Sequence, residues 1–408
     1  MKKDDLYEAA FRYKKSKLWN KLWDNDVFAV HLSNGHIGYI SIMGKNGEYN
    51  ALGLYLDNAG FQSYRIIANA GVSDSEFRNH EMLLQQRCLH MALESAQDLP
   101  PEEANEVRAY AKGNGIRLTG KNAFPHFIKY EPNCYPWKIK SESDMSAIYE
   151  ALIAASLLAE ALTKTDKKSL GIFPVGPESE EVPLFCVSGN EISRIGDAFL
   201  PGDLVEEYEY VIAENQLAVA AVKKLPKKGI WESELTRMLE PAQDSPDEAP
   251  YYPTLLMVVE SKSYYILPVP LTAHVEEEPQ ELLLFYAQAW KELGSCPKEL
   301  RCRDERTYAI LKDFSEKTGV KISIYTKPMR ALDAAEDKLY YHFTCDEGGD
   351  ANAVMDQMAS VIGNILVMDK DALKLMPKDL LERLEVLIEQ DIFPEEIAHM
   401  LRLKLKEI

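Results

Sequence analysis

The sequence predicts an α+β protein: a mixed α+β domain over 1–170, an α/β domain over 171–345 and a helical tail over 346–408. Three observations predict it. Apolar residues recur at helical spacing near both ends of the chain and shift towards a period of two from about 183. Short apolar runs are punctuated by turn pairs such as Asn34-Gly35 and Gly189-Asn190. Charge is also divided unevenly: residues 1–170 carry 21 Lys and Arg against 21 Asp and Glu, whereas 171–408 carry 25 against 44 and hold the whole net charge of −19.

The first domain opens on a helix over 5–24, where Leu6, Ala10, Tyr13, Leu18 and Leu22 follow helical spacing and Lys14, Lys15, Lys17 and Lys21 take the wet side. Val27–Leu32 and Ile37–Met43 flank Ser33-Asn34-Gly35 as a hairpin, since Asn-Gly supplies the positive-φ turn, and Asn50–Leu56 is a third strand. Helices are expected at 59–69, 76–86 and 101–113, the last opened by Pro-Glu-Glu and stopped by Gly113-Asn114-Gly115. Residues 120–139 are rich in aromatics and proline. Ser141 then caps a long helix to about 164, with Glu142 and Asp144 in its first turn and a face of Ala151, Ala154, Ala155 and Ala159 suited to close packing.

Lys164–Lys168 marks the expected boundary. Beyond it, Leu184–Val187 and Glu191–Ile195 read as a hairpin, and strands are expected at 216–223, 230–238, 254–260 and 264–271. Glu240–Pro250 between them is an acidic, proline-bearing loop. A helix over 279–293, a strand over 298–303, a helix over 305–318 and a strand over 320–326 follow. In the tail, Val354, Met358, Val361, Ile365 and Leu366 form one stripe, and a helix pair at 379–390 and 394–405 offers a surface for docking or homo-oligomerisation.

Composition narrows function. At 46% apolar and 27% charged over 408 residues, the chain is an ordinary globular protein with room for two or three cores. The longest apolar run, Ala151 to Ala159, is far short of a membrane span, and Met1-Lys2-Lys3-Asp4-Asp5 does not open a signal peptide. Six cysteines without a C-x-x-C pair predict reduced thiols in the cytoplasm and neither a zinc ribbon nor a thioredoxin motif. The acidic second part disfavours duplex DNA, whose binding draws on counterion release to Lys and Arg. Histidines show no metal-ligand spacing, and no nucleophile elbow is present.

Leu6-Tyr7-Glu8-Ala9-Ala10-Phe11, the Asn-Gly hairpin, Ala51-Leu52-Gly53-Leu54-Tyr55, Tyr110-Ala111-Lys112-Gly113-Asn114-Gly115-Ile116, Gly120-Lys121-Asn122-Ala123-Phe124-Pro125 and Tyr135-Pro136-Trp137 resemble an uncharacterised bacterial domain family met in Gram-positive genomes. Residues 216–345 resemble a second uncharacterised domain that commonly follows it. The resemblance implies organisation and carries no catalytic residues.

The order β-β-β-α-β-α-β over 230–326 is similar to the ribonuclease H-like core of transposases and retroviral integrases. Those enzymes bring three carboxylates to two divalent ions, one activating water and the other steadying the leaving oxygen. The corresponding acids are Glu234 (Glu232 less well), Asp304 and Glu336, with Mg²⁺ as the implied cofactor. Glu replaces Asp at the first place, and Asp304 equally suits the N-cap of helix 305–318. The second candidate surface is aromatic: Phe124, Phe127, Tyr130, Tyr135 and Trp137, interleaved with Lys121, Lys129, Lys138 and Lys140, for stacking bases or a peptide. With no complete catalytic constellation, the sequence points to a cytosolic binding or scaffolding module without a cofactor and with a protein or peptide partner. The alternative is a Mg²⁺-dependent nuclease.

Overall fold

The computed structural model describes residues 2–47, 49–69, 76–202, 208–273, 275 and 278–345. The chain forms two compact units. The first contains the described residues up to 69, those of 79–202 and the segment Gln243–Tyr251; the second contains residues 76–78 and the described residues of 206–242 and 252–345.

The first unit is built from α1 (Lys3–Ser16), β1 (Phe28–His31), β2 (Ile37–Met43), β3 (Asn50–Leu56), α2 (Asp57–Asn69), most of α3 (Glu76–Leu83), β4 (Cys88–Glu94), α4 (Pro101–Gly113), β5 (Phe124–Tyr130), β6 (Trp137–Lys138), α5 (Glu142–Ala161), β7 (Glu181–Ser188) and β8 (Glu191–Phe199). Its eight strands run β6-β5-β4-β3-β2-β1-β7-β8. All neighbours are antiparallel except β1 and β7, which pair parallel through Ala29↔Leu184 and Val30↔Phe185.

Alternation along each strand supplies the two faces of this sheet. Leu89, Met91 and Leu93 of β4 join Leu52 and Leu54 of β3 in a core with Ala151, Leu152, Ala155 and Leu158 of α5 and Ala9, Ala10 and Tyr13 of α1. The alanines let helix backbones come close, and Ser141 caps α5 by accepting from the Asp144 N–H. On the other face Tyr39, Tyr55, Phe61 and Tyr64 pack together. The single N-terminal helix expected over 5–24 ends at Ser16, because Lys17 turns left-handed (φ 50°) into a 3₁₀ turn over Leu18–Asn20.

The boundary expected at 170/171 does not divide the structure. The hairpin of β7 and β8 completes the large sheet, so the first unit extends past it. The aromatic- and proline-rich stretch over 120–139 contains β5 and β6, and β4 is a strand without an antecedent in the sequence pattern. Cys88-Leu-His-Met-Ala-Leu-Glu lacks β-branched residues and is buried on both faces, which erases the alternation by which strands are recognised.

The second unit holds α6 (Gln216–Lys223), β9 (Lys227–Arg237), β10 (Thr254–Glu260), α7 (Pro279–Leu293), β11 (Cys296–Cys302), α8 (Glu305–Thr318), β12 (Lys321–Ile324) and α9 (Arg330–Cys345). Its sheet runs β10-β9-β11-β12, antiparallel between β10 and β9 and parallel elsewhere. Trp231 and Leu235 of β9, Leu256 and Val258 of β10, and Leu300 and Cys302 of β11 meet α6, α7 and α8 in one core. Met257 and Val259 turn the other way to Met329, Leu332 and Ala335 at α9.

Two expected strands are not strands. Residues 216–223 form α6: Asn215 caps it by accepting from the Ala218 N–H, and Val219 and Val222 are buried one turn apart. The short apolar run does not by itself separate helix from strand. Residues 264–272 pair with β10 in isolated bridges, at Val259↔Ile266 and Thr254↔Thr272, and form no continuous ladder. Pro268 and Pro270 lack ladder donors, and Tyr264 sits at φ 60°. The tail helices expected at 354–366, 379–390 and 394–405 lie outside the described residues.

Candidate functional site

Two of the three acids named from the sequence meet. Along β9, Trp231 and Leu235 enter the core with α7 and α8, which aims Glu232 and Glu234 at the opposite face. There α9 supplies Glu336 from its second turn. Glu234 is 5% exposed and Glu336 2%.

Two arginines lie between these carboxylates. Arg303 sets Nε 2.5 Å from Glu234 Oε2 and Nη2 3.2 Å from Glu336 Oε1, while its Nη1 donates to Asp333 Oδ1 at 2.7 Å. Arg78 donates through Nη2 to Glu234 Oε2 at 3.1 Å and to Glu336 Oε2 at 2.9 Å. Guanidinium forks suit carboxylate pairs, and such charge-assisted bonds are about twice as strong as neutral ones. Burial, then the hydrogen bond and repulsion from Glu234, push the Glu336 carboxyl well above the usual range, and the arginines offset this only in part. Burial works against the charge on Arg78, but the two carboxylates reverse that effect and hold the guanidinium more firmly protonated.

Glu232 does different work. Its Oε2 accepts from the Leu332 N–H at 3.0 Å and its Oε1 from Ser261 Oγ at 3.1 Å. A carboxylate thereby closes the first turn of α9, where the helix presents unpaired N–H groups and positive potential.

Asp304 caps α8. Its carboxylate accepts from the Thr307 N–H at 2.6 Å, and Thr307 Oγ1 accepts from the Leu235 N–H at 2.8 Å, which ties α8 to β9. Burial raises the Asp304 carboxyl, the Thr307 bonds lower it and the charge of Glu234 raises it further. Among the described residues no group of three or more His, Cys, Asp or Glu is arranged to hold a metal ion. The donor set fits Mg²⁺ poorly: two of its carboxylates are engaged by guanidinium groups and the third by a helix terminus.

Sequence reasoning missed both arginines. Arg303 had a signal, since it precedes Asp304 and continues the alternation Glu299, Arg301, Arg303. Arg78 had none, because it comes from 156 residues before Glu234.

The candidate aromatic surface is largely spent on packing. Phe124 is buried with Ala104 and Val107 of α4, and Phe127 packs against the same cluster. Tyr130 stands edge-on to His90 at 5.7 Å. Tyr135 remains 46% exposed. Trp137 is half-buried, with the ammonium groups of Lys138 and Lys140 5.5 and 5.8 Å from its ring centre. Beside Tyr130, His90 is 3% exposed and stacks on Tyr49 at 5.7 Å. Burial, then repulsion from His126, pushes its imidazole down to about 4.

Residues 4–173 match the domain of unknown function DUF7309, and residues 218–340 match the domain of unknown function DUF6930. The two matches follow one another in that order along the chain. The DUF6930 match includes Glu234, Arg303, Asp304 and Glu336, whereas Arg78 falls within the DUF7309 match. The DUF7309 match stops before β7 and β8, although these strands belong to the same sheet. No curated protein matches the chain. Among the described residues no helix is long and apolar enough to cross a membrane.

Proposed function

We propose that the protein is a non-catalytic binding module whose second unit has a ribonuclease H-like architecture. The sheet order β10-β9-β11-β12, with α7 before β11 and α8 between β11 and β12, supports that architecture. The observation that carries the function is Arg303, whose guanidinium contacts Glu234 and Glu336 together, where a divalent ion would need their oxygens. The same reading places the protein in the bacterial cytosol, without a cofactor and with a protein or peptide partner in place of duplex DNA. It rests on the acidic charge and the family resemblance.

The test is calorimetric titration of the intact chain with Mg²⁺ and Mn²⁺, beside cleavage assays on single- and double-stranded oligonucleotides. Neither saturable binding nor cleavage is expected. Metal-dependent cleavage that Glu234→Gln removes would overturn the reading. One observation favours the nuclease alternative: a strand and a later helix bring Glu234 and Glu336 into one buried pair. On that alternative, the double variant Arg78→Ala, Arg303→Ala gains Mn²⁺ affinity; on ours it only loses stability.

A further inference from the structure

The connection between β9 and β10 is much longer than a hairpin needs. Two to five residues join most such strands; here the chain runs from Arg237 to Thr254, closed at its base by the Met238 N–H donating to the Pro253 carbonyl. Its sequence, Glu-Pro-Ala-Gln-Asp-Ser-Pro-Asp-Glu-Ala-Pro over 240–250, holds four acids and no base. The segment Gln243–Tyr251 belongs to the first unit, not to the strands it connects.

It is held there mainly through its main chain. The Tyr135 N–H donates to the Pro250 carbonyl at 2.8 Å, and Tyr251 bridges Cys134 in antiparallel fashion. Lys140 Nζ donates to the Asp247 carbonyl. Residues 134–135 lead into β6, the outer strand of the large sheet. Main-chain bonds added beside a sheet edge are a common mode of peptide recognition; here Pro250 and Tyr251 supply them, while 244–248 turn back on themselves. Charge is complementary: Lys138 and Lys140 flank Trp137 on the edge, and Asp244, Asp247 and Glu248 are exposed on the segment. The segment also holds its own shape, through Gln243 Nε2 donating to the Glu248 carbonyl at 2.7 Å and the Tyr251 hydroxyl donating to Asp244 at 3.2 Å.

We propose that the edge at Cys134–Lys140 is a docking site for an acidic, proline-bearing turn segment of a protein partner, and that residues 243–251 occupy it in cis as an intramolecular competitor. The inference rests on the binding reading for its purpose, but it uses only first-unit residues. Its failure is read by peptide binding and that of the earlier reading by metal binding and cleavage, so the two are distinguishable.

The probe is a fluorescein-labelled synthetic peptide of residues 240–251, titrated against the full-length protein and followed by anisotropy. A chain with 241–250 replaced by a Gly-Ser turn should bind it about tenfold or more tightly than the intact chain, because the tethered competitor is gone. Lys140→Glu in that background, and raised salt, should each weaken binding several-fold. Equal affinity of the intact and loop-replaced chains, or of a scrambled peptide, overturns the proposal. Should the loop-replaced chain not fold, the exposed triple variant Asp244→Lys, Asp247→Lys, Glu248→Lys carries the test. It should speed hydrogen exchange at the Tyr135 amide and gain peptide binding. Unchanged exchange together with no gain in binding overturns the proposal as well.

Discussion

Strand β4 of the large sheet and strand β9 of the small one are both central and both buried, yet they spend their second faces differently. In β4, Leu89, Met91 and Leu93 fill one core, and the opposite face carries Cys88, His90 and Ala92, none more than 4% exposed. In β9, Trp231 and Leu235 fill a core and the opposite face carries Glu232 and Glu234. Strand β4 thus buries an imidazole that burial holds neutral, and strand β9 buries carboxylates that need arginines. Burying a charge is tolerable when hydrogen-bonded counter-charges come with it and costly when they do not. The two units should therefore fail by different substitutions and at opposite ends of the pH scale.

The largest expected effect breaks the carboxylate side of this contrast. Arg303→Ala leaves Glu234 and Glu336 with Arg78 alone and removes the contact to Asp333, and loss of one partner from a buried pair typically costs about 3–5 kcal/mol. Hydrogen exchange under mild denaturant should show the loss in β9, β11 and α9 and leave α5 of the first unit protected. Equal loss in both units would show that the pair is not a local device. Replacing Glu234, Arg303 and Glu336 by Met, Leu and Met together with Arg78→Leu should recover much of the loss, because packed apolar groups can replace a buried ionic cluster when no member of it is left unpaired.

The next effect comes from His90. Its folded value of about 4 lies below the ordinary 6.5, so the unfolded chain takes up the proton first as pH falls. The stability contribution is complete above 6.5, declines as pH falls through the window from 6.5 to about 4, and is gone below it. That difference amounts to about 3 kcal/mol. Urea melts of the first unit between pH 7 and 4 should show this slope, and His90→Phe should flatten it. A slope unchanged in His90→Phe would assign it to other groups.

Glu336 sharpens the comparison with the opposite sign. Its folded value is raised above the ordinary 4.5, so its contribution is fully present below 4.5 and is lost as pH rises through the folded value. The second unit should weaken towards alkaline pH where the first strengthens. Glu336→Gln mimics the protonated carboxyl and should remove the alkaline slope with little effect at low pH. A steeper slope in this variant would show that Glu336 carries its charge in the native state.

These opposed groups also show what the sequence could and could not disclose. The hairpin of β9 and β10 was legible because Thr254-Leu-Leu-Met-Val-Val-Glu and its partner combine β-branched residues with turn-rich flanks. Capped helices were legible too: Ser141 and Asp304 precede their helices at the N-cap position, and both side chains accept the expected N–H. Strand β4 was not legible, since burial on both faces removes its periodicity. Glu234 and Glu336 could be named from spacing along an element order, but their neutralisation could not. Arg78 reaches them from a distant part of the chain, and no local pattern encodes such a meeting.

The smallest expected effect concerns Asp304, which caps a helix, whereas Glu234 and Glu336 meet guanidinium groups. As an N-cap it satisfies one terminal N–H of α8, through Thr307, so Asp304→Ala should cost about 1 kcal/mol and Asp304→Asn or Asp304→Ser only a few tenths. A metal ligand would show the reverse ranking: Asn and Ser would be nearly as harmful as Ala, because each loses the negative charge that binds a hard cation. The ranking of thermal midpoints for the three variants, repeated with and without Mn²⁺, separates the two roles. If Mn²⁺ raises the midpoint of the unaltered chain and not that of Asp304→Asn, Asp304 serves a cation as well as a helix, and the contrast between the neutral face of β4 and the arginine-compensated face of β9 must give way to a site that exchanges guanidinium for metal.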